Sequence, residues 1–205
     1  FAARCIAADY LYPAGGAPAE ALLRGECCRA VAKAGKRDSG QVETGIVREA
    51  ISVSGMGSGG KYLVGQVTAM RSEIFNTSLS AEGRAVLLYH VERMNEESAN
   101  ALLKVMEEPP EGVLFLLTAD SLASVLPTIR SRCAAYTMAP VPTEECAAAL
   151  RTAQPELNEQ NAQDLAFLYE GHIGLCLKAL TDPAAKVARA AARELCRQAQ
   201  QQDTY

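Results

Sequence analysis

The chain has 205 residues, 49% of them apolar, and a formal net charge of −4 with both histidines neutral. That is room for one large domain or two small ones with a proper core, which excludes disorder except at the ends. It also excludes a strongly basic surface that would draw the whole chain to nucleic acid, though not a local basic patch.

Phe1–Leu11 reads as an Ala-rich helix, broken by Pro13-Ala-Gly-Gly16. Glu20–Ala34 reads as a second helical stretch carrying Cys27 and Cys28, and Gly35–Gly45 as a polar loop. Ile51 and Val53 make Glu49–Ser54 a strand, Gly55–Gly60 is a flexible loop, and Val64, Val67, Met70 and Ile74 line one face of a helix over Leu63–Phe75. Ala85–Cys133 organises the chain: the apolar runs Ala85–Tyr89 and Val113–Thr118 flank an amphipathic helix, which is the pattern of a βαβ unit. Asn95 caps that helix, and Glu96 and Glu97 suit the positive end of its dipole. Ala99, Leu102, Leu103 and Met106 share one face, and Pro109 and Pro110 cannot continue the helix. Val113–Leu117 has no polar alternation, which predicts a strand covered on both faces.

A short strand is expected at Ala134–Met138, and Pro140 and Pro142 then mark a boundary beyond which everything is helical. The helices are read over Thr143 to about Thr152, Asn158–Glu170 with Ala162, Leu165, Ala166 and Tyr169 as its apolar face, and Leu175–Leu180 after a turn at Gly171–Gly174. Asp182 and Pro183 open a last helix that frays over Gln198–Tyr205. The composition shift predicts an α/β domain over 1–139 and an all-α domain over 140–205. The natural N-terminus is expected upstream of Phe1, which already lies inside a helix. Seven scattered cysteines, Cys5, Cys27, Cys28, Cys133, Cys146, Cys176 and Cys196, read as reduced thiols of a cytoplasmic protein. No apolar run approaches the ~20 residues of a membrane span, and no signal peptide is evident.

Gly55-Met-Gly-Ser-Gly-Gly60-Lys61-Tyr62 fits the first seven positions of a phosphate-binding loop between a strand and a helix. The eighth needs the Ser or Thr hydroxyl that ligates magnesium, and Tyr62 is bulky with its oxygen far out on the ring, so a connecting loop is the favoured reading. The strand end after Val86 carries Tyr89 and His90 where a nucleotide hydrolase has a magnesium-holding Asp, and Glu92 is expected to aim elsewhere. A structural strand without metal follows. Cys27 and Cys28 are adjacent rather than two to four residues apart, and with no second pair nearby they read as ordinary thiols, not zinc ligands. His90 and His172 stand alone in sequence, and Ser131 has no catalytic His beside it. Arg132 lies in a loop past the last core strand, where it is either a solvated residue, the reading favoured on spacing alone, or a group reaching a phosphate on a neighbouring protein.

Glu97–Cys133 resembles the AAA+ clamp-loader family closely, through Asn100-Ala-Leu-Leu-Lys104, Glu107-Glu-Pro-Pro110, Phe115-Leu-Leu117 and Leu126-Pro-Thr-Ile-Arg-Ser-Arg-Cys133. The flanks fit more weakly. Val53 and its loop, then Lys61–Arg71, are similar to the strand, linker and helix before the family's second strand, Phe1–Leu11 to the helix after its phosphate loop, and Gly171–Leu177 to its helical lid. The resemblance implies a Rossmann-like, P-loop-type parallel α/β core over 1–139, with the phosphate loop upstream of Phe1, and a lid over 140–205. The family's collar, which holds its pentamers together, has no counterpart here, and a monomer is expected for this stretch.

The resemblance also carries its own omissions. Tyr89, His90 and Val91 stand where the gamma/tau-type ATPases carry an acidic pair, Gly174 falls at the lid's ATP-sensing Arg, and the four-cysteine zinc module is reduced to Cys27 and Cys28. The Ser131-Arg132-Cys133 motif is intact, and in the family its Arg completes the ATP site of the adjacent subunit. The implied protein is a non-catalytic subunit of the bacterial DNA polymerase III holoenzyme with Arg132 as a trans-acting arginine finger. It would have no intrinsic activity and no cofactor of its own, with ATP only on neighbouring subunits. Its partners would be the gamma/tau and delta subunits and, through the assembly, the sliding clamp and primed DNA in DNA replication. Two alternatives stay open: a gamma/tau-type ATPase, and a P-loop nucleotide-binding enzyme using Lys61.

Overall fold

A computed structural model describes residues 1–35, 38–76 and 83–202. The described residues form two units, which divide between Ala135 and Tyr136. The first is a mixed α/β unit. Helices α1 (Ala2–Leu11) and α2 (Ala17–Arg24) are followed by strands β1 (Cys27–Ala32), β2 (Gly40–Glu43) and β3 (Val47–Ser54). Helix α3 (Val64–Asn76), strand β4 (Arg84–Tyr89), helix α4 (Glu96–Glu107), strand β5 (Val113–Leu117) and the short helix α5 (Pro127–Arg130) complete it. Among the described residues the sheet has the order β2-β1-β3-β4-β5, parallel throughout except for the β1–β2 pair.

The expected βαβ unit is present as β4–α4–β5, with Val86 opposite Phe115. Asn95 caps α4: its side chain accepts a 2.9 Å hydrogen bond from the Ser98 backbone N–H. β4 lies between β3 and β5, with Ala85 and Leu87 on one face and Val86 and Leu88 on the other, all fully buried. On one face they join α1 and α2 through Ala7, Leu11 and Leu22; on the other they join α3 and α4 through Val67, Met70, Leu102 and Val105. The alternation of a strand thus feeds two cores at once, which is why its sequence shows no polar positions.

Four expectations fail here. The stretch read as a helix over Glu20–Ala34 is a helix and then a strand. Gly25, in the left-handed region at φ 85, closes α2, and the chain leaves as β1 to pair with β3. The Gly35–Gly45 loop contains β2, antiparallel to β1 with Val42 opposite Ala30. β5 is not covered on both faces: it is the edge strand and half-buried along its whole length. Ala134–Met138 forms no strand, because the segment finds no ladder partner, and Tyr136 stays 85% exposed.

The second unit holds α6 (Thr143–Ala153), α7 (Glu159–Leu168), α8 (Ile173–Thr181) and α9 (Pro183–Gln202). Its core is Cys146, Leu150, Ala162, Leu165, Ala166 and Cys176; of the α7 face read from periodicity, Ala162, Leu165 and Ala166 are buried and Tyr169 packs beside them partly buried. Burial beside Cys146 pushes the Cys176 thiol up to about 11, so it is an inert packing group. The Asp182 side chain caps α9 by accepting from the Ala184 N–H at 2.9 Å. α9 runs to Gln202, past the expected fraying point at Gln198, and residues 203–205 lie outside the described residues.

Candidate functional site

In open α/β sheets the chemistry gathers at the carboxyl ends of the parallel strands. Here three chain ends meet there: the loop after β3, the turn after β4 and the tail of β5. The loop after β3 is closed on itself. The Gly57 N–H donates to the Lys61 carbonyl at 2.8 Å and the Gly60 N–H to the Gly57 carbonyl at 3.0 Å. A Cβ on Gly55 would lie 1.8 Å from the Gly60 carbonyl oxygen, so the backbone there is folded tightly against itself. These amides point at their own chain and form no cradle for a phosphate. Lys61 is extended, and α3 begins only at Val64, so the Lys does not sit at a helix start as it would in a phosphate loop. We expect Lys61→Ala and the parent chain to retain ATP equally, at background, in equilibrium dialysis; a loss on substitution would revive the Lys61 reading.

Tyr62 explains the loop's shape. It is 1% exposed, and its hydroxyl donates to the Tyr89 carbonyl at 2.6 Å and lies 3.1 Å from the Val53 carbonyl, which shares the same proton. Burial, and secondarily the charge of Glu92, push this phenol well up, so it stays a donor. One turn on, fully buried Gln66 donates through Nε2 to the carbonyls of Ala30 and Ser54, and its Oε1 accepts from the Leu63 N–H. Neither residue was singled out for such a role in the sequence, because both act on backbone groups that only the sheet brings near.

The turn after β4 departs from expectation. His90 is left-handed at φ 57 and ψ 55, an uncommon conformation for a residue with a side chain. Its N–H donates to the Thr118 hydroxyl at 3.2 Å, and the Val91 N–H to the Thr118 carbonyl at 2.9 Å. The β5 tail is thereby fixed beside His90, and Asp120 comes with it. His90 Nδ1 is 3.3 Å from Asp120 Oδ1 and 3.3 Å from Glu92 Oε1. His90 is therefore not alone, and Glu92 is not aimed elsewhere: the short helical turn Val91–Arg93 folds it back beside His90. The Tyr89 ring packs with the α1–α2 core, where burial pushes its phenol up. Cys27 and Cys28 belong to the cores on opposite faces of the sheet, so their sulfurs cannot share an ion.

Arg132 lies elsewhere. Buried Ile129 anchors α5. Ser131 Oγ donates to the Thr128 carbonyl at 3.1 Å, an ordinary turn bond. Cys133 is partly buried against the α3–α4 core, and burial raises its thiol. The Arg132 guanidinium donates through Nη1 to the Thr128 carbonyl at 3.1 Å and through Nη2 to Glu107 Oε1 at 2.6 Å. Glu107 is the last residue of α4, whereas His90 precedes its first turn. The helix between them has 12 residues, a length of about 18 Å. The guanidinium is therefore remote from this chain's own strand-end turn. Its side chain is 37% exposed, and the pair with Glu107 is of the half-solvated kind worth about 0–1 kcal/mol. Glu107 was legible as part of a motif but not as the partner of a residue 25 positions on.

Known proteins resemble part of the chain. A subunit delta' of DNA polymerase III from Haemophilus influenzae is 42% identical over 84 residues, which are 41% of this chain and 25% of that protein. A DNA polymerase III subunit gamma from Buchnera aphidicola is 29% identical over 93 residues, 45% of this chain and 25% of that protein. The chain thus spans about a quarter of the length of the curated relatives it matches. A solved gamma subunit-related protein from Thermotoga maritima aligns with a TM-score of 0.43 at 23% identity, covering 57% of this chain and 42% of that one. The profile of the family described as DNA polymerase III, delta subunit, matches residues 19–142, from inside α2 to just past the α/β unit. With more than half its residues inside that match, the chain belongs to the DNA polymerase III delta-subunit family of clamp-loader proteins.

Proposed function

We propose that the chain is a delta'-type, non-catalytic clamp-loader subunit that offers Arg132 to the ATP site of a neighbouring subunit. The observation that carries this is the placement of Arg132. Its guanidinium is partly exposed and lies a helix length from the chain's own strand-end turn, so a phosphate that it meets is another subunit's. The strand-end turn supports the same reading: Tyr89 faces a core, His90 takes the neighbouring position, and Tyr62 fills the β3–β4 edge with a hydroxyl turned inward. The delta' name of the Haemophilus relative is consistent with it.

On this proposal residues 1–139 act as the AAA+ core and 140–205 as the lid, and the protein works in the cytoplasm with gamma/tau and delta subunits, the sliding clamp and primed DNA. No cofactor is needed for the finger itself. Arg132 supplies a planar, permanently charged fork against the negative charge that spreads over a transferring γ-phosphoryl group. Among the described residues no helix is long and apolar enough to cross a membrane.

The likeness to a gamma subunit favours a second reading, an ATPase with its own phosphate loop. ATP binding by the full-length protein separates the two. The delta' reading expects none by equilibrium dialysis, and stoichiometric binding followed by hydrolysis would replace it with the gamma reading.

A further inference from the structure

The proposed function leaves His90, Glu92 and Asp120 without a task, yet the fold gathers them. Their ligand atoms all lie within 4.8 Å of one another, and His90 Nδ1 is 3.3 Å from a carboxylate oxygen of each partner. Ions held tetrahedrally by bonds of about 2.0–2.1 Å keep their ligands about 3.3–3.4 Å apart, which is close to both imidazole–carboxylate distances, and the exposed Asp120 side chain is free to set the third, carboxylate–carboxylate edge. The Glu92 contact is within hydrogen-bond reach, but it is long for a charge-assisted bond, and the Asp120 contact is equally long. Charge-assisted N–H···O bonds run to about 2.7–2.9 Å, and one Nδ1–H cannot point at two oxygens.

A second observation is independent of those distances. Glu92 Oε2 is buried and has no hydrogen-bond partner, in a side chain that is only 12% exposed. Besides His90, the basic group beside this carboxylate is the Arg93 Nε, 3.8 Å from Oε1, beyond hydrogen-bond range. A buried carboxylate so poorly compensated is costly, and a bound cation relieves that cost. The ligands also stand on rigid supports. Thr118 ties the β5 tail to the backbone of His90 and Val91 through two hydrogen bonds. The His90 and Asp120 side chains are 45% and 70% exposed, so an ion has a way in from solvent.

We propose that His90 Nδ1, Glu92 and Asp120 form a binding site for one divalent transition ion of the zinc class, with water completing the coordination. The imidazole selects zinc, cobalt or nickel over magnesium and calcium, which take oxygen ligands. The site uses none of the cysteines, and it stands whether or not Arg132 serves a neighbour. Its effect is to clamp the carboxyl ends of β4 and β5 together.

The test is titration of the chelator-stripped full-length protein with Co²⁺ and Zn²⁺, followed by absorption and calorimetry. The expected result is the absorption of a tetrahedral nitrogen–oxygen Co²⁺ site with no thiolate charge-transfer band, about one ion per chain, and a rise in thermal midpoint on adding Zn²⁺. Asp120→Asn and His90→Ala should each weaken binding by about 100-fold or more and abolish the thermal shift, by analogy with the 10–100-fold losses seen when even outer-shell groups are removed. Because Ala is itself strained at φ 57, Asp120→Asn is the variant in which folding is undisturbed. Absence of binding, binding of parental strength in Asp120→Asn, or a thiolate band would each overturn the proposal.

Discussion

Replacing Arg132 by alanine is expected to lower the ATPase rate of the reconstituted clamp-loader assembly by about three orders of magnitude at the site this subunit completes, the lower end of what a finger supplied in trans contributes. The loss falls on the transition state, so ATP affinity at that site should change far less than its turnover. Lysine is not expected to rescue it. A point charge on a flexible stem cannot reproduce two parallel N–H donors held in one plane. The chain itself should stay folded. Arg132 makes a partly exposed pair with Glu107 and one turn bond to the Thr128 carbonyl, and without it Glu107, half-exposed, returns to water rather than to a buried void. The cost is about 1 kcal/mol or less. Steady-state hydrolysis with clamp and primed DNA present, read beside a melting curve of the isolated subunit, checks both halves. An unchanged rate in an assembly that still forms would remove Arg132 from the mechanism.

The largest effect on stability is expected at Gln66. Gln66→Leu keeps roughly the volume and the helix propensity, but it removes the donor to the Ala30 and Ser54 carbonyls and the acceptor for the Leu63 N–H. Each buried backbone group left without a partner costs about 1–3 kcal/mol, and the leucine recovers only part of that by its better transfer energy. The net loss should be about 3–5 kcal/mol in a urea or thermal unfolding curve, a large fraction of the 5–15 kcal/mol that holds a typical domain together. A loss under about 1 kcal/mol would mean that water replaces the amide, and that the residue is not the tie between β1, β3 and α3 that its bonds describe.

These two residues mark how far the sequence could be read. The β4–α4–β5 unit was legible because its signals are local: apolar runs of strand length, a helical face at the right spacing, an Asn cap and two prolines. β1 was not. Cys27–Ala32 is built mostly of Cys, Arg and Ala, which serve a helix as well as a strand, and the pairing of Cys28 with Ile51 decides between them. The same holds at Ala134–Met138 in reverse, where a plausible strand finds no neighbour. Arg132 was legible because it lies in a run of words that resemble a family. Its contact with Glu107 was not, nor was the meeting of His90 with Asp120. That meeting depends on the register Leu88 to Leu117, which carries the two chain ends forward side by side. No spacing rule spans it.

Tyr62 has a consequence for anyone seeking to inhibit the protein with a small molecule. The crevice at the strand ends, where ligands of open α/β sheets dock, is occupied between β3 and β4 by the chain's own aromatic ring, hydrogen-bonded to the last turn of each strand. A nucleotide mimic would have to evict a fully enclosed side chain and break both of its bonds before touching anything. The tractable target is the opposite one: a rigid dianion shaped for the guanidinium of Arg132, competing with Glu107 at the surface.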